Sequence, residues 1–194
     1  MPPFSVLHVC LGNICRSPMA ERLLALRVSE RAGEDAADLI LSQSCGIGTW
    51  HTGQRMNGPA ARELRGRGGS DSGFRARHMS REHVETADVI LTATGEQVEY
   101  VAAEFPDALA RTFLVRHFGR LAEAMTDDEL PDSDGSPEAV YARGLAMVAL
   151  ADARRDTVEA LELDDPWGES PEVFRRIGDE IDEALRPFVV RLLS

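Results

Sequence analysis

The sequence predicts an α/β fold: a doubly wound, four-stranded parallel sheet flanked by helices on both faces. Four short runs are rich in apolar residues without alternating with polar ones, which is typical of strands buried on both faces. Segments with helical spacing separate the runs, and this alternation favours parallel strands joined by right-handed crossovers. The predicted strands are Ser5–Cys10, Leu39–Cys45, Asp88–Ala93 and Thr112–Val115.

Helices are predicted between and after these strands. The first, Pro18–Arg31, carries Met19, Leu23 and Leu26 on one face, with Ser17 as the expected N-cap. The last, Pro171–Leu193, has apolar residues at the same spacing. Shorter helices are predicted over Pro59–Arg67, Ser80–Thr86 and Gly95–Glu104.

All 194 residues are expected to form one domain, 1–194, because no change of composition marks a boundary. The stretch Glu123–Glu138 is acidic, contains two prolines and predicts a solvent-exposed loop. A helix is expected over Ala139–Leu161. The acidic loop and this extra helix, at about 117–160, are therefore additions within the single domain.

Charge and cysteine content restrict the possible partners and the compartment. Thirty-three acidic and 21 basic residues give a formal charge of −12, and the basic residues are scattered arginines. Such a surface repels nucleic acid and anionic lipid, so neither nucleic acid nor membrane is an expected partner. Three cysteines and no apparent secretory signal predict a cytoplasmic protein.

The stretch that follows the first predicted strand has the features of an anion-binding loop. Cys10 stands at the carboxyl end of the strand, where open α/β sheets bind ligands. The next helix begins a few residues later, and its N-terminal N–H groups favour anions. Gly12 is expected to supply unusual backbone angles, and the guanidinium of Arg16 can hold two phosphate oxygens.

These surroundings favour the thiolate form of Cys10, which makes it a candidate nucleophile toward phosphorus. A zinc site is disfavoured, because the pair Cys10 and Cys15 supplies half a ligand set and no second pair at ligand spacing follows. An inert buried Cys10 is the other alternative. Cys15 either packs under the loop or traps an oxidised Cys10 as a disulfide, and the two roles are compatible.

The loop Cys10-Leu11-Gly12-Asn13-Ile14-Cys15-Arg16-Ser17, followed by proline, resembles the C-x5-R-S motif of the low-molecular-weight protein tyrosine phosphatases. The resemblance continues in "SCGIGTWHTG", "SGFRARHMS", "ADVIL" and "DDPWGESPEVF", and leaves out mainly 117–160. It implies the predicted fold, hydrolysis of phosphotyrosine through a cysteinyl-phosphate, and no cofactor or metal. It also implies that the loop residues bind phosphate: Leu11, Gly12, Asn13, Ile14, Cys15 and Ser17.

The same resemblance implies roles for residues elsewhere in the chain. Asp165, before a proline, matches the family's general acid, although an exchange of roles with Asp164 stays open. Trp50 and Trp167 match the aromatic walls of the family's cleft; the alternative is that both lie in the core. Phe74 replaces a histidine that braces the loop in many members, so the bracing here is expected to differ.

Four functions are weighed for this fold and loop: a tyrosine phosphatase, an arginine phosphatase, an arsenate reductase and a phosphate-binding module without activity. Ile14 favours a tyrosine phosphatase over the family's arginine phosphatases, which carry threonine there. An arsenate reductase needs two further cysteines for its disulfide relay, and residues 46–194 contain none. A catalytically silent phosphate-binding module has no use for Cys10 together with Asp165. The expected substrate is a phosphotyrosine-containing protein or an aryl phosphate, with a tyrosine kinase as a candidate partner.

Overall fold

Four parallel strands form the centre of the fold, in the order β2-β1-β3-β4. The computed structural model describes residues 2–194. The strands are β1 Phe4–Cys10, β2 Ile40–Gly46, β3 Val89–Thr92 and β4 Thr112–Leu114. The predicted sheet is therefore confirmed, with boundaries that differ by at most one residue.

Helices cover both faces of the sheet, as predicted. Along β1, Phe4 and Val6 enter one apolar cluster while Leu7 and Val9 enter a second cluster on the opposite face, so every residue of the strand is buried. The helices are α1 Arg16–Ala32, α2 Ala36–Leu39, α3 Gly58–Gly66, α4 Arg81–Glu85, α5 Gly95–Glu104, α6 Val115–Ala124, α7 Pro137–Ala153 and α8 Pro171–Leu192. Within residues 2–194, none of these helices is long and apolar enough to cross a membrane.

Two predicted helices need correction, and helices α2 and α6 were not predicted. Helix α1 begins at Arg16, so Ser17 is not its N-cap; Pro18 is tolerated because the first N–H groups of a helix need no intrahelical acceptor. Helix α6 was not predicted, because its short amphipathic stretch continues directly from β4. Helix α7 ends at Ala153 instead of Leu161, and a 3-10 turn at Arg155–Thr157 follows it.

The acidic stretch 123–138 is largely exposed but is attached to the domain. Its first residues, Glu123 and Ala124, belong to α6, and Asp127–Glu129 form a 3-10 turn. Met125 and Leu130 are buried in the core. The buried side chain of Arg143 donates hydrogen bonds to Asp127 and to the carbonyl oxygens of residues 131 and 191. The stretch is thus anchored to α7 and the end of α8.

His8, in the middle of β1, is a buried titratable residue without a hydrogen-bond partner. Its side chain is 1% exposed, and neither ring nitrogen has a partner among the described residues. Burial lowers the pKa of His8 to about 3. The imidazole is therefore neutral in the folded protein throughout the physiological pH range.

We expect His8 to make the protein acid-sensitive. An unfolded chain protonates this histidine below a pH of about 6.5, whereas the folded chain resists protonation until its lowered pKa near 3. The unfolded state then binds more protons, so the free energy of unfolding falls as pH drops, by up to about 1.4 kcal/mol per pH unit. His8→Leu should reduce this slope between pH 6 and 4, as measured by urea denaturation.

The packing control is Val6→Ala on the same face of β1. It should lower stability at every pH without changing the slope. An unchanged slope in the folded His8→Leu protein would contradict the assignment.

Candidate active site

The loop between β1 and α1 directs its carbonyl groups outward. The carbonyl oxygens of Cys10 and Leu11 accept hydrogen bonds from the N–H groups of residues 47 and 48, at 3.1 and 2.8 Å. The carbonyl oxygen of Ile14 accepts from the Asn57 N–H at 2.8 Å. Because C=O and N–H point in opposite directions across a trans peptide, the N–H groups after these carbonyls face the inside of the loop. The loop is thus a cradle for an anion.

Asn13 adopts the left-handed conformation that turns the loop, with φ of 54°. The unusual backbone angles were expected at Gly12, but its φ is not positive. A Cβ at Gly12 would lie 2.8 Å from His51 Cδ2, so a larger residue there would displace the His51 side chain. The Asn13 amide donates to Ser17 Oγ at 2.9 Å and Ser44 Oγ at 2.8 Å, and accepts from the Arg77 N–H at 2.7 Å. Three hydrogen bonds therefore hold the strained residue in place.

Two hydrogen-bonding groups converge on the sulfur of Cys10. Ser17 Oγ lies 2.9 Å from Cys10 Sγ, and the backbone N–H of Asn13 donates to the same sulfur at 3.3 Å. Asn13 lies in the loop and Ser17 in the first turn of α1, and both residues are buried. Hydrogen bonds to the charged form stabilise a thiolate relative to a thiol.

Arg16 links the cradle to the segment before α8. Its Nη1 donates to the Leu163 carbonyl oxygen at 3.1 Å, and its Nη2 lies 3.0 Å from Asp165 Oδ2. The guanidinium is buried, whereas the Asp165 side chain is 48% exposed. Arg16 Nε has no protein partner and remains available to an anion in the cradle.

The side chains of the adjacent residues Asp164 and Asp165 lie in different surroundings. Asp165 lines the cleft and accepts a hydrogen bond from the Trp167 N–H at 3.2 Å. Asp164 is 72% exposed and pairs with Arg176 at 2.8 Å. Only Asp165 of the two shares the cleft with Cys10, which favours it over Asp164 as a proton donor.

Aromatic side chains form the walls above the cradle. Trp50 and Trp167 are 59% and 56% exposed, so neither belongs to the core. The His51 ring lies between them, with ring centroids 6.1 Å from Trp50 and 5.4 Å from Trp167. The cleft has a volume of about 150 Å³ and is lined by Cys10, Leu11, Gly12, Ile14, Cys15, Arg16, Trp50, His51, Asp165 and Trp167.

Most of the predicted site residues meet in this cleft, but Asn13 and Ser17 lie behind it. Both are at most 2% exposed and brace the loop from inside the protein. Sequence reasoning missed His51 and Glu21. The signal for His51 was its place directly after Trp50. No signal pointed to Glu21, since its partners Ser44 and Arg77 come from distant segments.

The other two cysteines differ from Cys10 in their surroundings. Burial, with a smaller contribution from the nearby Cys10, raises the pKa of the Cys15 thiol to about 12. Burial likewise raises the pKa of Cys45 well above its usual range. All three cysteines are free. Within residues 2–194, no group of three or more His, Cys, Asp or Glu side chains could hold a metal ion.

The chain is similar in sequence to known proteins. The sequence profile described as low molecular weight phosphotyrosine protein phosphatase matches residues 5–154, a range that stops before Asp165. Low molecular weight protein-tyrosine-phosphatase YfkJ of Bacillus subtilis (strain 168) is 34% identical over 128 residues, 66% of this chain and 77% of that protein. The protein-arginine-phosphatase of Geobacillus stearothermophilus is 27% identical over 139 residues, 72% of this chain and 84% of that protein.

A solved structure supports the fold over nearly the whole chain. The low molecular weight protein tyrosine phosphatase from T. tengcongensis matches with a TM-score of 0.69 at 21% identity, covering 96% of this chain and 97% of that one. A C-x5-R loop at the carboxyl edge of a parallel sheet defines the class: α/β proteins that bind phosphate around a cysteine. Within that class, this chain belongs to the low molecular weight phosphotyrosine protein phosphatase family.

Gly46, at the end of β2, allows the loop to approach the sheet, and its substitution should impair the site. A Cβ there would lie 2.8 Å from the Leu11 carbonyl oxygen and 2.9 Å from the Asn13 nitrogen. These are backbone atoms of the cradle, so Gly46→Ala must displace it. We expect kcat for p-nitrophenyl phosphate to fall at least about tenfold, because misplacement by fractions of an ångström is costly to catalysis.

The matched control is Gly66→Ala at the end of α3, where a Cβ meets nothing within 4 Å. This variant should keep wild-type kcat. Wild-type kcat in a folded Gly46→Ala protein would show that the loop tolerates displacement.

Proposed function

We propose that this protein is a metal-independent protein-tyrosine phosphatase that acts through a cysteinyl-phosphate intermediate. The observation that carries the proposal is the placement of Cys10 Sγ, Arg16 and Asp165 around one cleft whose floor is an anion cradle. A silent phosphate-binding module would need the cradle and Arg16 but neither a nucleophile nor a proton donor.

In the first step, Cys10 Sγ attacks phosphorus, forming an S–P bond as the bond from phosphorus to the tyrosyl oxygen breaks. The inward N–H groups of the loop and the guanidinium of Arg16 stabilise the charge on the phosphoryl oxygens. Two atoms of Arg16 support its role in holding the phosphoryl group. Nε has no protein partner, and Nη2 is paired with the exposed Asp165 carboxylate. A phosphoryl group competes with that carboxylate for Nη2.

Asp165 is the proposed general acid. Protonated Asp165 gives its proton to the departing tyrosyl oxygen, since a phenolate is a poor leaving group without one. In the second step the same carboxylate accepts a proton from water, which attacks phosphorus and breaks the S–P bond. Phosphate then leaves, and Cys10 returns to the thiolate.

The aromatic walls favour an aryl phosphate as substrate. Trp50 and Trp167 stand on the rim with most of their surface exposed, and Ile14 adds an apolar contact inside the cleft. A phosphotyrosine ring fits between such walls, and each aromatic contact contributes about 0.5–1.5 kcal/mol beyond burial. The substrate is therefore a phosphotyrosine-containing protein, supplied by a tyrosine kinase, or a small aryl phosphate.

The cytoplasm is the proposed compartment. Cys10, Cys15 and Cys45 are all free and buried, which suits a reducing environment. The net charge of −12 also argues against nucleic acid or an anionic membrane as a partner.

The first experiment compares phosphotyrosine and phosphoarginine as substrates, in the presence of a chelator, for the wild type and Cys10→Ser. We expect the wild type to hydrolyse phosphotyrosine with kcat/KM at least about tenfold higher than phosphoarginine, because the aromatic walls contact the ring. Cys10→Ser should lose at least about 10³-fold in kcat, since the nucleophile is removed.

Three outcomes would contradict the proposal. Faster turnover of phosphoarginine would make the protein an arginine phosphatase like its relative from Geobacillus stearothermophilus. Activity retained by Cys10→Ser would exclude the thiolate mechanism. A folded wild type that binds phosphate but hydrolyses neither compound would be a binding module.

The second experiment separates the adjacent aspartates. Asp165→Asn should lower kcat for phosphotyrosine by about 10²–10³-fold, a typical loss for a general acid. The loss should be smaller for p-nitrophenyl phosphate, whose leaving group departs without a proton. Asp164→Asn, the matched control, removes only an exposed ion pair with Arg176 and should stay within about twofold of wild type. The reverse ranking would assign the acid to Asp164.

A further inference from the structure

We propose that the Glu21 carboxylate, together with the Arg77 N–H, fixes the direction of a buried chain of hydrogen bonds that ends on the sulfur of Cys10. The chain runs through Ser44, Asn13 and Ser17. Glu21 is thus a positioning residue for the nucleophile, although it lies outside the cleft. The inference rests on the proposed role of Cys10 as the nucleophile.

The chain of hydrogen bonds begins at a carboxylate oxygen, which can accept a hydrogen bond but cannot donate one. Glu21 Oε2 lies 2.5 Å from Ser44 Oγ. An ionised carboxylate has no proton to give, so the single hydroxyl proton of Ser44 goes to Glu21. Ser44 Oγ is then restricted to accepting, and it accepts from Asn13 Nδ2 at 2.8 Å.

The amide of Asn13 passes this direction on to Ser17. Its Oδ1 accepts from the Arg77 N–H, which places the NH₂ group toward the two serines. One NH₂ proton goes to Ser44 and the other to Ser17 Oγ at 2.9 Å. Ser17 Oγ already accepts this bond, and its own proton is free to be donated.

The last member of the chain is the nucleophile. Cys10 Sγ is 2.9 Å from Ser17 Oγ, and the alternative acceptor, the Cys45 carbonyl oxygen, is farther at 3.3 Å. Ser17 therefore donates to the thiolate, which the hydrogen bond stabilises. Glu21 is 7% exposed, and Ser44, Asn13 and Ser17 are at most 2% exposed, so bulk water cannot replace a missing member.

Charges around the two ends matter for any pH-dependent test. Glu21 is paired with Arg77 at 3.0 Å, from the segment before α4, and with Arg22 at 3.2 Å from its own helix. Cys10 shares the cleft with Arg16, Asp165 and His51. As a bare charge, Glu21 would disfavour a thiolate at Cys10. Removing that charge alone should therefore make the thiolate easier to form, whereas breaking the chain should make it harder.

The experiment measures the pH at which alkylation of Cys10 by iodoacetamide is half-maximal, with the modified residue identified by mass spectrometry. The raised pKa values of Cys15 and Cys45 keep those thiols protonated over the range scanned. Glu21→Met and Glu21→Gln both remove the charge, but only Gln keeps an oxygen that can accept the Ser44 proton. We expect Glu21→Met to raise the midpoint by about one pH unit, the size of a weakened charge-assisted hydrogen bond. Glu21→Gln should recover at least half of that shift.

Ser44→Ala tests the chain without altering any charge. Its midpoint should rise in the same direction, and Ser44→Ala combined with Glu21→Met should shift no further than the larger single change. If Glu21→Met fails to fold, Ser44→Ala alone tests the chain of hydrogen bonds. The matched control is Asp182→Asn, which breaks the half-buried ion pair of α8 with Arg27 of α1 and should leave the midpoint unchanged.

A midpoint that falls equally in Glu21→Met and Glu21→Gln would show that Glu21 acts only as a charge and would overturn the proposal. An unchanged midpoint in folded Glu21→Met or Ser44→Ala would also overturn it. Alkylation does not depend on turnover. A wild type that fails to hydrolyse phosphotyrosine but shows the expected shifts would therefore refute the proposed function and leave the positioning role intact.

Discussion

The site depends on one backbone constraint: the chain must leave a buried strand and enter a helix within five residues while keeping its N–H groups inward. Asn13 makes this possible by adopting a left-handed conformation that costs free energy in a non-glycine residue. Its side-chain amide compensates through bonds to Ser17, Ser44 and Arg77. A glycine at this position would turn as easily but could not orient Ser17 toward the sulfur.

Arg16 connects this loop with a part of the chain almost 150 residues away. The same guanidinium bonds the Leu163 carbonyl oxygen, contacts Asp165 and keeps Nε free. The segment carrying Asp165 is therefore attached to the phosphate cradle itself. The arginine of this ion pair is buried and the aspartate is about half exposed, so other groups in the cleft can reach the aspartate.

Much of this could be predicted from the sequence because the information is local. Continuous apolar runs mark strands buried on both faces, and the C-x5-R-S motif identifies the cradle in eight consecutive residues. Local signals failed where a contact overrides them. Ser17 is a residue type favoured at N-caps, yet its hydroxyl bonds Cys10 and the helix starts at Arg16, two residues before the predicted start at Pro18. Gly12 has the freedom to turn, yet Asn13 takes the turn.

The sequence by itself determined the sheet and the family, and it predicted the nucleophile Cys10 and its partner Arg16, since each follows from residues close together in the chain. Only the tertiary structure decided which aspartate faces the cleft, that both tryptophans are exposed, that His51 stands between them and that Glu21 reaches the loop through Ser44. Most of these features depend on contacts between distant segments, such as Glu21 with Ser44 and Arg16 with Asp165. Their partners are chosen by how the packed elements meet, and a linear pattern does not contain that geometry.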